Sequence, residues 1–425
     1  MLGHQSSKQE RRKWLIIFLL AFGTAIAYID RANLSAVLAL KQLQGWIPLD
    51  DNGRGLLNSA FFWSYALLQI PAGWIVDRYG PKRPYAIGFS LWTLASAAAG
   101  IVHNASQLVI SRLVLGVGES VSIAASVRWI RLNCAESERG LATGILFAGT
   151  KVGAAIGVPL AVALIVRFGW RTMFGLIGIG GLVWLVAWLF LVPEHTASGE
   201  NRDAHSYTRT EPVHISALFA KPVIWGILLG TFAYNYFIYF CLTWLPAYFT
   251  DARHLTPAAM GLFTMFSFGG MALVSIFAGW AADRIIVRGG NAVRVRLAFT
   301  MTGFVVASTE LIGMLSKSND LALFFAVFSL TGLGLTTANY WALTQTIFPA
   351  GIVGRMIGIQ NFASNVSGIG ASLITGWLKQ KTGSYDAAGW AILGVLLLGL
   401  AAYGLLVRPD AEEAMARKIA PPVTT

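Results

Sequence analysis

Twelve runs of about 20 predominantly apolar residues recur along this chain, and no other feature narrows its fold as far. They lie near residues 14–36, 54–76, 84–103, 106–128, 140–165, 171–192, 222–249, 258–283, 295–315, 320–346, 355–378 and 385–407. A helix rising about 1.5 Å per residue crosses a hydrocarbon core of roughly 30 Å in about 20 residues, and only a helix or a closed barrel satisfies its own backbone there. The runs predict an all-α membrane protein with twelve transmembrane helices. The composition agrees, since 56% of the 425 residues are hydrophobic and only 12% are charged. The polar stretch Met1 to Lys13 lacks a cleavable signal pattern, so the first span is expected to persist in the mature chain.

A net charge of +12 invites a nucleic-acid reading, and its distribution argues against one. If the spans alternate, 21 of the 32 Lys and Arg residues fall on the side that holds both termini and eight on the other, leaving Arg31, Arg112 and Lys151 inside spans. By the positive-inside rule both termini are expected in the cytoplasm, and the basic excess is a topology signal. The six His residues sit in loops, at span ends or in the N-terminal tail. With no Cys/His cluster at zinc spacing and no phosphate-cradling loop, neither a metal nor a cofactor is expected. Cys134 and Cys241 have no evident reason to pair. A membrane enzyme would need a nucleophile or metal set near an interface, and a receptor or scaffold a long soluble domain; the sequence offers neither.

An internal echo organises the chain. Gly73-Trp74-Ile75-Val76-Asp77-Arg78 precedes Tyr79-Gly80-Pro81-Lys82-Arg83, and the Gly-Trp-x-x-Asp-Arg pattern returns at Gly279 to Arg284, 206 residues or six spans later. A polar segment separates the two copies. The expected division is therefore a six-helix bundle over 1–192, a cytoplasmic linker over 193–221 and a pseudo-symmetric six-helix bundle with a short tail over 222–425. Two such halves are the mark of a transporter whose substrate site lies at mid-membrane.

The Gly73 to Arg83 turn resembles the signature loop of the major facilitator superfamily, and the shortened copy at Gly279 to Arg284 is also typical of it. Within that superfamily the chain resembles the anion:cation symporter branch. The residues that carry this likeness are Tyr28-x-Asp30-Arg31-x-Asn33, Arg112 with Glu119, Trp170-Arg171 with Phe174, Leu242 to Pro246, and Asn361-Phe362. The resemblance implies a secondary transporter of the bacterial inner membrane, working as a monomer by alternating access, without cofactor. Its bacterial members look like proton-coupled importers of hexonates, hexuronates, glucarate, tartrate and aromatic acids. An organic-anion uniporter or exchanger, or an importer of an aromatic dicarboxylate, remains open alongside a sugar-acid symporter. Its partners would be a small carboxylate, protons and the lipid bilayer.

Six ionisable groups fall well inside spans: Asp30, Arg31, Arg112, Glu119, Lys151 and Glu310. They either pin helices together as ion pairs or line a pathway, the usual role of intramembrane charges. Burial disfavours an ionised carboxylate and a nearby guanidinium favours it, so a moving partner can switch proton binding; Asp30 and Glu119 are the candidate proton carriers. An arginine offers a planar fork to a carboxylate. The resemblance makes Arg31 the expected substrate anchor and Arg112 the expected partner of the acids. Gly116 and Gly118, between Arg112 and Glu119, leave room for a close neighbour or a ligand. Lys151 stands beside Thr150, where sugar-acid relatives carry an amide; it either snorkels to a helix end or adds a second cationic handle that favours a dianion. With Arg31, Arg112, Thr150 and Lys151, the residues Tyr28, Tyr65, Trp341, Asn361 and Ser364 make up the expected substrate contacts. Glu310 is read as a structural or lipid-edge acid. Gly73, Asp77, Arg78, Arg83, Glu138 and Arg139, with Asp283 and Arg284 in the second copy, form the expected cytoplasmic gate, with plain loop solubility as the alternative.

Overall fold

The computed structural model describes residues 2–43, 46–193, 219–348 and 350–409, and among them the only regular structure is helical. Fourteen α-helices follow in order: α1 Leu2–Ala39, α2 Asp51–Tyr79, α3 Lys82–Ala98, α4 Ala105–Glu119, α5 Ser122–Asn133, α6 Glu136–Leu191, α7 Pro222–Thr243, α8 Leu245–Asp251, α9 Pro257–Val287, α10 Ala292–Ser308, α11 Glu310–Leu315, α12 Asn319–Ile347, α13 Ala350–Thr382 and α14 Asp386–Leu406. Nine helical stretches among the described residues are long and apolar enough to cross a membrane. Polar side chains set several starts: Asp50 accepts from the Gly53 amide, Asn104 from that of Gln107, and Asn291 from that of Arg294.

The runs expected at 140–165 and 171–192 form one 56-residue helix, α6, broken at Gly169, whose φ of 79° no branched side chain would accept. Gly80 at φ 76° ends α2 in the same way and turns the chain into the Pro81-Lys82-Arg83 corner. The run at 106–128 is split into α4 and α5 after Glu119, and the run at 295–315 into α10 and α11 at Thr309.

The chain divides into two compact units, Met1–Ser206 with Leu242–Met265, and Tyr207–Cys241 with Phe266–Thr425. Most of the polar linker expected over 193–221 and the end of the tail lie outside the described residues. In the first unit α1 and α6 run side by side along a seam of small residues. A Cβ on Gly149 would meet the Ala21 carbonyl, one on Gly153 the Ala25 backbone, and one on Gly157 the Ala32 side chain. Gly118 faces Gly88 and Trp92 of α3 in the same manner, and Gly116 faces Phe61 and Ser64 of α2. The space beside those two α4 glycines is therefore filled by helices rather than left open. Behind the seam Phe89 stacks on Trp184 at 4.0 Å and Trp184 on Trp188 at 5.3 Å. The Trp184 indole donates to the Leu19 carbonyl at 2.6 Å, fixing α6 to α1.

The segment that follows α7 is tied into this unit near the ends of α1 and α2. Arg54 reaches Asp251 at 3.0 Å, Lys41 reaches the same carboxylate at 3.4 Å, and the Thr250 hydroxyl donates to the Ala39 carbonyl. In the second unit the buried Gln360 amide donates to Thr231 at 2.8 Å and accepts from Thr344 at 2.9 Å, joining α13 to α7 and α12. Such fully satisfied buried bonds specify which helices meet.

Candidate functional site

The second half of α1 carries the densest polar chemistry of the first unit. From Gly23 to Ala39 every residue is buried except Tyr28 and Arg31, which sit one turn apart on one face and stay partly open. The Arg31 guanidinium lies between three rings, 4.7 Å from the centroid of Tyr28, 4.5 Å from Phe61 and 4.8 Å from Tyr65. Cation–π contacts of this kind contribute about 0.5–2 kcal/mol each, more as water is excluded, and they hold the fork in plane. Its Nε and one terminal nitrogen both point at a single Glu119 oxygen, Oε2, at 2.9 and 2.8 Å. Glu119 is fully buried and its other oxygen, Oε1, has no hydrogen-bond partner among the described residues. A buried acceptor without a donor is costly, so this carboxylate is poised to take either a donor or a proton.

Asp30 lies one residue earlier and points elsewhere. Its Oδ1 accepts from the Ser96 hydroxyl of α3 at 2.5 Å and from the Asn33 amide at 3.3 Å. Arg112, expected to pair with the acids, forms no salt bridge among the described residues. It donates to the Asp30 main-chain carbonyl at 3.1 Å and to the Asn33 side-chain oxygen at 3.3 Å, and its guanidinium lies 5.2 Å from the Phe174 ring. The reason is local: Asp30 spends its carboxylate on Ser96, and Glu119 is turned toward α1, where Arg31 reaches it first. Of the two arginines in this cluster, the one that pairs with an acid among the described residues is thus Arg31, with Glu119.

The other expected contacts separate. The Thr150 hydroxyl is turned back onto the Phe147 carbonyl of its own helix at 2.7 Å. Lys151, half-buried, forms no hydrogen bond or ion pair among the described residues. Trp341, Asn361 and Ser364 belong to the second unit, on α12 and α13; Trp341 lies against Tyr340 at 5.0 Å, and Asn361 accepts from the Asn365 amide at 2.8 Å through its carbonyl. Glu310 is buried and accepts from Ser329 at 2.5 Å, which places it in the interior of its unit rather than at a lipid edge.

The Gly-Trp-x-x-Asp-Arg copies carry two ion pairs. Asp77 meets Arg128 of α5 at 3.1 Å and Asp283 meets Arg296 of α10 at 2.9 Å, while Arg78 and Arg284 lie near the Trp74 and Trp280 rings. Gly73 has open space where a Cβ would stand. Glu138 pairs with Lys13 at 2.7 Å and caps the Ala135 amide, and the hydrogen bond from Lys13 holds its carboxyl below the ordinary value of 4.5. Arg139 donates to the Cys134 and Arg131 carbonyls.

The sequence profile of the Major Facilitator Superfamily matches residues 20–372, most of the chain. The chain belongs to the Major Facilitator Superfamily. It is a multi-pass membrane transporter and not an enzyme. A D-galactonate transporter of Escherichia coli O6:H1 is 28% identical over 95% of this chain and 97% of its own. A hexuronate transporter of Bacillus subtilis is 28% identical over 93% and 94%. Among solved structures, a D-xylose-proton symporter superposes with a TM-score of 0.72 over 92% of this chain and 97% of its own, at 16% identity, a likeness of fold.

In this superfamily member the sequence signal for Arg31, Glu119 and Asp30 was their charge inside apolar runs. Ser96 and Phe61, which hold those charges in place, carry no such signal: a serine or phenylalanine in a membrane helix is ordinary. Lys13 and Arg128, partners of Glu138 and Asp77, looked like loop charges. Asn33 stood in the first-span motif without an assigned role; it links Asp30 to Arg112.

Proposed function

We propose that this transporter imports an organic anion, a sugar acid such as a hexonate, hexuronate or glucarate, by proton symport with alternating access across the bacterial inner membrane. Counting the Leu141–Leu191 stretch as two crossings at Gly169, and adding Lys82–Ala98 and Ala350–Thr382 to the nine apolar stretches, gives twelve spans with both termini cytoplasmic. The names of the relatives support the substrate class. The observation that carries the reading is the caged Arg31 with its two N–H groups on one oxygen of a buried, half-satisfied Glu119.

That arrangement works as an exchange at a fixed cation. A proton arriving on Glu119 Oε1 neutralises the carboxyl and weakens its hold on Arg31, whose fork then takes the substrate carboxylate. Once the proton leaves on the cytoplasmic side, Glu119 reclaims Arg31 and the anion is released. Asp30, held by Ser96 and Asn33, is the second proton carrier. Tyr28 and Tyr65 orient the fork and offer hydroxyls to a polyol substrate.

The test uses proteoliposomes. Adding galactonate or a hexuronate outside should alkalinise the external medium, and an imposed inward proton gradient should drive accumulation. Glu119→Gln should keep exchange between preloaded vesicles and lose gradient-driven accumulation. Accumulation retained by this variant moves the coupling role away from Glu119, and no alkaline shift with wild type removes symport.

A further inference from the structure

The second Gly-Trp-x-x-Asp-Arg copy ends α9 with its acid and its base on different faces. Asp283 accepts from Arg296 of α10 at 2.9 Å, whereas Arg284, four residues after Trp280, stands on the same stripe as that ring and 5.9 Å from it. The stripe is apolar and open: Leu273 is 71% exposed and Trp280 57%, with Ile276 and Phe277 exposed between them. Large apolar side chains so open, on a helix long and apolar enough to cross a membrane, face lipid. Phe277 lies against Trp280 at 5.8 Å, so the stripe finishes as two rings and a guanidinium.

On the far side of the turn α10 does the same. Its exposed row runs back from Val305 through Thr302 and Ala298 to Arg294, and the Thr302 hydroxyl is returned to the Ala298 carbonyl at 2.9 Å, out of reach of hydrocarbon. The turn between the helices is tight. Gly289 takes φ 98°, Asn291 caps α10, and a Cβ on Gly290 would meet both Ile285 and Val295. Arg284, Arg288 and Arg294, all exposed, therefore project from one corner, with the 86%-exposed Val287 beside Arg288.

Residues 283–296 hold four arginines and one acid. That acid is taken by Arg296, and the other three arginines meet no carboxylate among the described residues. The positive-inside rule accounts for the number of charges on such a turn, but not for two lipid rows that each end on an arginine. Depth agrees with this placement. The 31 residues of α9 extend about 46 Å, more than the roughly 30 Å of hydrocarbon, so the end of the helix reaches the phosphate layer. The first copy repeats the row: Trp74 is 62% exposed, Arg78 lies 5.9 Å from its ring, and Asp77 is again turned to a neighbouring helix.

We propose that the α9–α10 corner binds the headgroup of an anionic glycerophospholipid, with its phosphate on the Arg284 fork, Arg288 and Arg294 answering its net charge, and Trp280 at the ester level. This is independent of what the transporter carries. On the proposed topology the corner is cytoplasmic, and Trp377 with Lys381 of α13, a pair of the same spacing at 5.0 Å, lies on the opposite side and serves as a control. The full-length protein in neutral detergent is titrated with phosphatidylglycerol or phosphatidylcholine of identical acyl chains, and bound lipid is counted by native mass spectrometry. Wild type should bind phosphatidylglycerol about tenfold or more tighter than phosphatidylcholine, a preference that shrinks with salt. Arg284→Gln, Arg288→Gln and Arg294→Gln together should abolish the preference, and Lys381→Gln should leave it within about twofold. The three arginines are exposed, so the lipid-free Tm of the triple variant should match wild type; should it fall, Arg288→Gln with Arg294→Gln at the tip of the turn should still weaken phosphatidylglycerol several-fold. Equal binding of the two lipids by wild type, an unchanged preference in the arginine variants, an equal loss in Lys381→Gln, or displacement of the lipid by equimolar inorganic phosphate overturns the inference.

Discussion

Replacing Glu119 by glutamine should tighten substrate binding, an unusual outcome for the loss of a buried charged group in a binding site. In the resting arrangement Nε and one terminal nitrogen of Arg31 are spent on Glu119 Oε2, at 2.9 and 2.8 Å, so a carboxylate that takes that edge of the fork must displace an ionised competitor. A hydrogen bond to a charged group is worth about 1.5–3 kcal/mol net and one to a neutral group about 0.5–1.5. Weakening one or both contacts by about 1 kcal/mol lowers the cost of displacement by about 1–2 kcal/mol, or roughly five- to thirtyfold in Kd. The free variant carries a caged guanidinium without its counter-charge, so its Tm should fall, and a carboxylate ligand should raise it further than in wild type. The assay is titration calorimetry in detergent at pH 8 and at mildly acidic pH. Wild type should bind more tightly as the medium acidifies, because protonation removes the competitor, and Glu119→Gln should already bind at that tighter level at both values. A folded variant that binds no better than wild type at pH 8 refutes the exchange.

Arg31→Lys should lower kcat/KM for uptake about tenfold or more at equal membrane expression, because an ammonium neither forks onto a carboxylate nor lies flat among Tyr28, Phe61 and Tyr65; near-normal uptake removes Arg31 as anchor. Gly153→Leu should wedge α1 from α6, destabilising the unit by about 1–3 kcal/mol as a lower Tm, whereas the same change at Gly144, where a Cβ meets nothing, should leave Tm nearly unmoved. Glu138, held below its ordinary value by Lys13, contributes stability that is present above about pH 4.5 and lost as the pH falls through its lowered value. The Tm difference between wild type and Glu138→Gln should therefore be full at pH 7 and disappear in acid.

The apolar runs were legible because bilayer thickness fixes their length, whatever the neighbouring helices do. The break at Gly169 fell between the expected runs at 140–165 and 171–192, but breaks inside single runs were not legible: nothing in the apolar sequence marks the end of α4 at Glu119 or of α10 before Thr309. The site charges could be found from their burial in apolar sequence, but not their pairing. Whether Glu119 turns to Arg31 or to Arg112 depends on where α4 crosses α1, and that is set by Gly116 and Gly118 meeting α2 and α3. That Lys151 meets no partner among the described residues is likewise a property of the assembled helices.

Gly169 also bears on how the chain enters the membrane. Two apolar stretches that share a single glycine as their connector have no linker to wait in, so a translocon that released the first as a finished span would already hold the second. On the proposed twelve-span topology the pair inserts together as a hairpin with Arg167 and Arg171 at its tip, where Arg171 donates to the carbonyls of Gly100 and Val102 at 3.1 and 3.0 Å. Those two carbonyls, at the end of α3, are in place before the hairpin is made, and the order of synthesis therefore gives the arriving arginine a ready acceptor.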